Sequence, residues 1–386
     1  MINSPNQNRT GKPTAVYSLR NVDPHVCRCL GYELEDAIAS MHDARIYAPQ
    51  PMAGSSSIVD RLAKSCFQKL TKKRYKLTPL PIPEPLADPA EHDLFFMFCQ
   101  NPSDARFVTQ RPHWRKSFAQ TACWVDEIWL ANAKKFPRQL RWLEGFDYLF
   151  ITFQETVDYL QREGFNAFYT PGGIDCFRFS SCQVGQARPI DVLSMGRKAP
   201  NTHKELFELS LRDEINYVYD TSSLPNVKNH VDHRTLMAKQ TGRARCFFVQ
   251  RAKADAPKQT NGQVELGSRY FEGCAAGAIL VGEKLDVDAF KDQFGWQDSV
   301  IEMPYDSSDI SPIMDLLNSD PAVLDQMHAR NLRHSLLTHD WVYRWEKILS
   351  TMGLPATAAM AERKNRLHEM ADSLPKDEDA AQSSVA

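Results

Sequence analysis

No run in the 386-residue chain approaches the roughly twenty apolar residues that a helix needs to cross a bilayer. The start, Met1-Ile2-Asn3-Ser4-Pro5-Asn6, is polar and lacks a secretory core, which points to a cytoplasmic protein. Charge of one sign is missing too: 46 Lys and Arg stand against 48 Asp and Glu, a net charge of -2. Such a balance makes no field for a polyanion, so nucleic acid is not expected as a partner. The nine cysteines are odd in number and lack framework spacing, which excludes a disulfide scaffold and suggests reduced thiols. Cys27-Arg28-Cys29 is too close a pair for a zinc knuckle. A Gly-x-Gly-x-x-Gly after an expected strand is also absent, which counts against a dinucleotide-dependent oxidoreductase.

What is present is a soluble composition, 42% hydrophobic and 24% charged, on a chain long enough for two domains. Residues 1–12 read as a disordered tail. Apolar segments at 14–19, 43–49, 92–99, 120–126, 147–152 and 167–170 read as strands, with amphipathic helices over 30–41 and 154–163. Gly164 is placed to close the second helix. A second set begins at Pro189-Ile190-Asp191-Val192-Leu193-Ser194 and continues with strands at 215–219, 246–249 and 279–282. Strands alternating with helices predict doubly wound α/β domains, at 13–180 and 189–350. Residues 351–386 then read as a C-terminal helix and a disordered tail. The basic segment 58–76 is either a solvated face or a contact for an anionic acceptor or membrane surface. Pro79–Pro89 is a loop by its proline content.

The most informative stretch is Ser268-Arg269-Tyr270-Phe271-Glu272-Gly273-Cys274-Ala275-Ala276-Gly277, followed by the apolar Ala278–Gly282. It reads as a short helix leading into a buried strand. A helix N-terminus beside parallel strands suits a diphosphate, and Arg269 brings a planar fork for phosphate oxygens. Glu272, one turn in, is placed to accept hydrogen bonds from a ribose diol. Two further runs join it: Pro171-Gly172-Gly173-Ile174-Asp175, with Phe177 and Phe179, and the Gly196-Arg197-Lys198 turn.

Together these runs resemble the GT-B glycosyltransferases, especially the CgeB-like group with its Arg-x-Phe-Glu-x-x-Ala-x-Gly segment. The resemblance implies a GT-B fold: two Rossmann-like doubly wound domains facing each other across a cleft. It also implies transfer of a sugar from a nucleotide-sugar donor to a glycan, lipid-linked or small-molecule acceptor hydroxyl, in glycan assembly. The first domain would take the acceptor and the second the donor. On that reading Arg197, helped by Arg269 and Lys204, neutralises the departing diphosphate, and Glu272 holds the ribose. Gly173, Gly196, Ser268 and Tyr270 line the donor site. No metal or cofactor is then required, the sugar nucleotide being a co-substrate. Many retaining relatives carry a second glutamate eight positions before the ribose glutamate. Here that place is Val264, and Glu265 is displaced by one.

Plainer readings stand beside these. Arg197 also suits a helix end or a surface pair. Asp126, at the end of an expected strand, either orients or deprotonates the acceptor, or caps the next helix. Asp286-Val287-Asp288 matches the metal-binding pair of the GT-A fold but sits in the half that resembles GT-B. A GT-B nucleotide-sugar epimerase and a catalytically degenerate binding protein are the alternative functions.

Overall fold

The computed structural model describes residues 13–50, 92–110, 113–180, 185–221 and 226–375. The segments 1–12, 58–76, Pro79–Pro89 and 376–386 lie outside the described residues.

The first lobe is built on β1 (Thr14–Tyr17), β2 (Ala44–Tyr47), β3 (Leu94–Cys99), β4 (Gln120–Val125), β5 (Tyr148–Ile151) and β6 (Ala167–Tyr169). They form one parallel sheet in the order β2-β1-β3-β4-β5-β6. β3 is buried along its whole length, as a strand covered by helices on both faces must be. The second lobe uses β7 (Ile190–Ser194), β8 (Tyr217–Tyr219), β9 (Ala244–Val249), β10 (Ile279–Gly282) and β11 (Ile301–Glu302). These too are parallel, in the order β11-β10-β9-β7-β8. The longer helices are α1 (Cys29–Met41), α2 (Gln154–Arg162), α3 (Pro200–Leu211), α4 (His230–Gly242), α5 (Ser268–Ala275), α6 (Pro321–Thr338), α7 (Trp341–Thr351) and α8 (Ala358–Asp372). Among the described residues no helix is long and apolar enough to cross a membrane.

Both sheets reverse their winding direction once, between β1 and β3 and between β7 and β9. A reversal opens a crevice at the strands' carboxyl ends, where open α/β sheets hold ligands.

The chain crosses back to the first lobe at its end. Trp341 meets Trp124 edge-on at 6.0 Å and Trp345 meets Phe96 at 5.0 Å. Gln120 donates to the carbonyl of Met352 at 3.4 Å, and Thr357 to that of Met41 at 2.6 Å. The position expected to end the second domain, residue 350, therefore lies in a helix that packs on the first. Where the two crossings meet, Ile174 and His339–Trp341 pair through their backbones. A Cβ on Gly173 would lie 2.7 Å from the Trp341 ring, so the glycine is what lets the crossings touch.

Candidate functional site

At the winding reversal of the second sheet, β7 runs into Gly196, whose φ of 87° is one that side-chain-bearing residues avoid. Arg197 follows, half exposed and paired with Asp255 at 2.9 Å. Its carbonyl accepts from Gln250 Nε2, just past β9, at 3.1 Å. α5 starts alongside. A Cβ on Gly267, its N-cap, would lie 2.8 Å from the Gln250 carbonyl, so glycine allows the helix end to reach the strand end. The Arg269 guanidinium lies over the Gly196 turn, with Nη2 3.5 Å from where a Cβ there would sit. Arg251 joins from the end of β9, ion-paired to Glu283. Arg269 thus lies over the glycine turn, in the first turn of a helix whose N-terminus is itself partly positive. Arg197 and Arg251, on the adjoining strand-end loops, are turned to Asp255 and Glu283.

The other expected donor residues are placed as follows. Ser268 opens α5 and is partly exposed. Tyr270 is buried among Phe290 and Phe294, and its hydroxyl donates to the Glu283 carbonyl at 2.7 Å. Lys204 lies exposed on α3 and pairs with Glu205 and Glu208 of the same helix, at 3.9 and 3.8 Å. Gly173 is packed under Trp341 at the crossing. Asp286 is exposed and pairs with Lys291 at 2.8 Å. Among the described residues no three His, Cys, Asp or Glu side chains come together as a metal site would require.

Glu272 has a different setting from the one its sequence suggests. Its side chain is 2% exposed, with one oxygen taken by Arg234 of α4 and the other by Arg269. Burial opposes its ionisation, but the two arginines prevail and hold its pKa below the ordinary value. Arg234 also donates through Nε to Glu33 of α1 at 2.8 Å. Glu33 accepts from the backbone of Asp175 at 2.9 Å and from Trp341 Nε1 at 3.0 Å. Arg178 lies 3.7 Å from Glu33 and 3.5 Å from Asp175. Asp175 pairs with Arg363 of α8 at 2.8 Å, and Arg363 with Asp340 at 2.7 Å. Glu33, Asp175, Glu272 and Asp340 thereby balance Arg178, Arg234, Arg269 and Arg363. Such a balance is what buried charges need to be tolerated.

In the first lobe, Asp126 follows directly on β4. It accepts from Gln100 Nε2 at 2.8 Å and from Thr152 Oγ1 at 3.2 Å, and Thr152 in turn accepts from Trp124 Nε1 at 2.9 Å. Burial raises its pKa to about 6, with neighbouring Glu127 pushing the same way. The lobes touch here: Lys253 pairs with Glu127 and lies 5.1 Å over the Trp129 ring. Gln263 accepts from the Leu130 backbone at 2.9 Å and donates to Glu265 at 2.6 Å. Glu265 is buried in this seam, and burial pushes its pKa up to about 8, with Glu155 adding to the rise.

Sequence reasoning missed Arg234, Glu33, Arg251 and Lys253. For Arg234 a signal existed. It shares the buried stripe of α4 with Met237, Ala238 and Thr241. An arginine on the core-facing stripe of a helix must have an anion waiting for it.

No protein-family model matches the chain, and no curated protein does. Solved structures do. The N-terminal domain of the Candida albicans trehalose-6-phosphate phosphatase aligns with a TM-score of 0.52 and 8% identity, over 92% of this chain and 99% of that one. An α-glucosyltransferase in complex with UDP and a DNA containing an HMU base aligns with a TM-score of 0.51 and 9% identity, over 89% of this chain and 100% of that one. At such identities the likeness is one of fold. The chain has the GT-B fold, two parallel-sheet lobes joined by a double crossing, as its sequence resemblance implied.

Proposed function

We propose that this protein is a glycosyltransferase that moves a sugar from a nucleoside-diphosphate donor to an acceptor hydroxyl. The observation that carries the reading is Arg269 over the Gly196 turn, at the N-terminus of α5 and at the winding reversal of the second sheet. Cations and helix-end amides there suit a diphosphate. The UDP named with the α-glucosyltransferase of like fold supports a donor of this kind. The acceptor oxygen attacks the anomeric carbon, the bond from that carbon to the diphosphate oxygen breaks, and the acceptor proton passes to Asp126. The leaving diphosphate gathers charge as the bond breaks, so Arg269 and Arg197 stabilise the transition state more than the bound donor. Both oxygens of Glu272 are engaged, so in this arrangement its part is to hold Arg269 rather than to meet the ribose directly. Arginines placed this way make a metal unnecessary for neutralising the leaving group.

The test is thermal unfolding with and without millimolar UDP. The wild type is expected to gain several degrees and Arg269→Ala to lose most of that gain. Equal shifts in both proteins would remove Arg269 from the site. Turnover of a sugar nucleotide that needs an added acceptor supports transfer, whereas turnover without one points to an epimerase or hydrolase.

A further inference from the structure

We propose that the exposed face of the first lobe along residues 134–142 is a docking surface for an anionic lipid bilayer. The proposal goes beyond the donor site and does not depend on it. The chain between β4 and β5 runs through a short helix, Leu130–Lys135, and a 3-10 turn, Pro137–Trp142. Ala133, Leu140 and Leu143 anchor it in the core of the first lobe. Lys134, Lys135, Arg138 and Arg141 are all exposed, and no acid stands among residues 130–143. None of the four forms an ion pair with a described residue, whereas Arg28, Arg115, Arg234 and Arg245 each meet an aspartate or glutamate. Lys134 and Lys135 lie instead over the rings of Tyr159 and Phe136, at 5.8 and 5.4 Å. Four uncompensated charges on one anchored segment make a local field that the balanced net charge of the chain conceals.

Aromatic surface accompanies the charge. Phe136 and Trp142 are only partly buried. Arg138 and Arg141 are shared by two open grooves, one lined by Phe146 and Phe165, the other by Trp114 and Trp142. Glu144 lines both grooves and Glu163 the first, yet neither pairs with an arginine among the described residues. Cations set around accessible rings suit the headgroup layer, where phosphates meet the charges and rings settle at the acyl boundary. A soluble polyanion would use the charges but leave the ring-lined grooves without an occupant. The segment also reaches the acceptor side of the lobe: Asn132, Phe136 and Gln139 line a cavity together with Gln100 and Glu127, and Gln100 holds Asp126 at 2.8 Å.

The experiment is co-sedimentation of the full chain with vesicles of phosphatidylcholine alone and of phosphatidylcholine mixed with phosphatidylglycerol. The wild type is expected to bind the mixed vesicles only, and to leave them in molar salt. Arg138→Ser/Arg141→Ser is expected to weaken binding about 25-fold, about fivefold for each charge removed. Lys134→Ser/Lys135→Ser is expected to do the same, and decides alone if thermal unfolding shows that the arginine pair does not fold. Lys239→Ser/Lys258→Ser removes as much charge from exposed positions of the second lobe, and should stay within about twofold of wild type. Equal losses in the first-lobe and second-lobe pairs overturn the proposal, because net charge alone would then govern binding. Binding untouched by the first-lobe pairs overturns it in favour of another part of the chain. Failure to bind mixed vesicles overturns it too, and retention by dextran sulfate in that case makes a soluble polyanion the occupant. The arginine pair is expected to bind UDP as the wild type does, so the donor-site reading and this proposal stand or fall separately.

Discussion

At the carboxyl ends of its strands the first lobe presents Gln100, Asp126, Glu127 and Thr152, whereas the second presents Gly196, Arg197 and Arg251, with Arg269 alongside. Both sheets are parallel and both reverse their winding once. The scaffold is therefore shared and the chemistry is not. Asp126 is held by an amide and a hydroxyl, and burial lifts its pKa to about 6. The arginines opposite are each balanced by an acid: Arg197 by Asp255, Arg251 by Glu283 and Arg269 by Glu272. A proton acceptor on one side and cations on the other is the division of labour a group transfer with an anionic leaving group requires.

The largest expected effect tests that division directly. Asp126→Asn removes the proposed proton acceptor and is expected to lower turnover by about 10²–10⁴-fold. UDP affinity, which the proposed function assigns to the other lobe, should stay within about twofold of wild type. In the wild type, turnover should fall as pH drops through about 6, where Asp126 takes up its proton, and the variant should lose this limb. Comparable losses in UDP affinity and turnover would break the comparison, because the two lobes would then not be chemically separate.

Much of this contrast was legible before any coordinates. Buried parallel strands read as continuous apolar runs, so Leu94–Cys99 and Ile279–Gly282 declare themselves. The Gly196 turn and the α5 segment also stand out, because close approach of backbone demands glycine at defined places. α3 does not: Phe207 and Leu211 are exposed, so its apolar residues make no clean stripe. Nor could the sequence say which acid each arginine meets. Glu33 and Arg234 are 201 positions apart, and only the double crossing brings them together. Pairings of that range are properties of the packed fold, and Glu272 looks like a free ligand until Arg234 is seen beside it.

Glu265 sharpens the comparison from inside the second lobe. Unlike Glu272, it is held by the Gln263 amide, and its pKa is raised to about 8 instead of being lowered. Between the ordinary value of 4.5 and about 8, the folded protein keeps a proton on Glu265 that the unfolded chain gives up. The folded state then binds more protons, so this group lowers stability as pH rises through that window and adds no further loss above it. Glu265→Gln keeps the acceptor for Gln263 without the titration. Its melting temperature is expected to exceed that of wild type by a few degrees at pH 9, on the order of 2–4 kcal/mol, and to converge with it near pH 4. A constant offset across the range would show that Glu265 is ionised in the fold like Glu272.

The smallest effect concerns the seam itself. Lys253 joins the lobes by pairing with Glu127 and covering Trp129, yet both partners keep contact with water, at 18% and 32% exposure. Water and salt screen such a pair, and holding a lysine in one rotamer costs entropy, so the net contribution is about 1 kcal/mol or less. Lys253→Met preserves the stem over the indole and removes the charge. A double-mutant cycle with Glu127→Gln is expected to give a coupling of about 0.2–1 kcal/mol that fades in molar salt. By contrast, breaking the buried Arg234–Glu33 contact should cost about 3–5 kcal/mol. That ratio places the firm attachment between lobes at the crossing and the weak one at the Lys253–Glu127 contact, an arrangement suited to opening of the lobes about a fixed hinge. A coupling at Lys253 as large as that at Arg234 would show instead that the two lobes are held as firmly here as at the crossing.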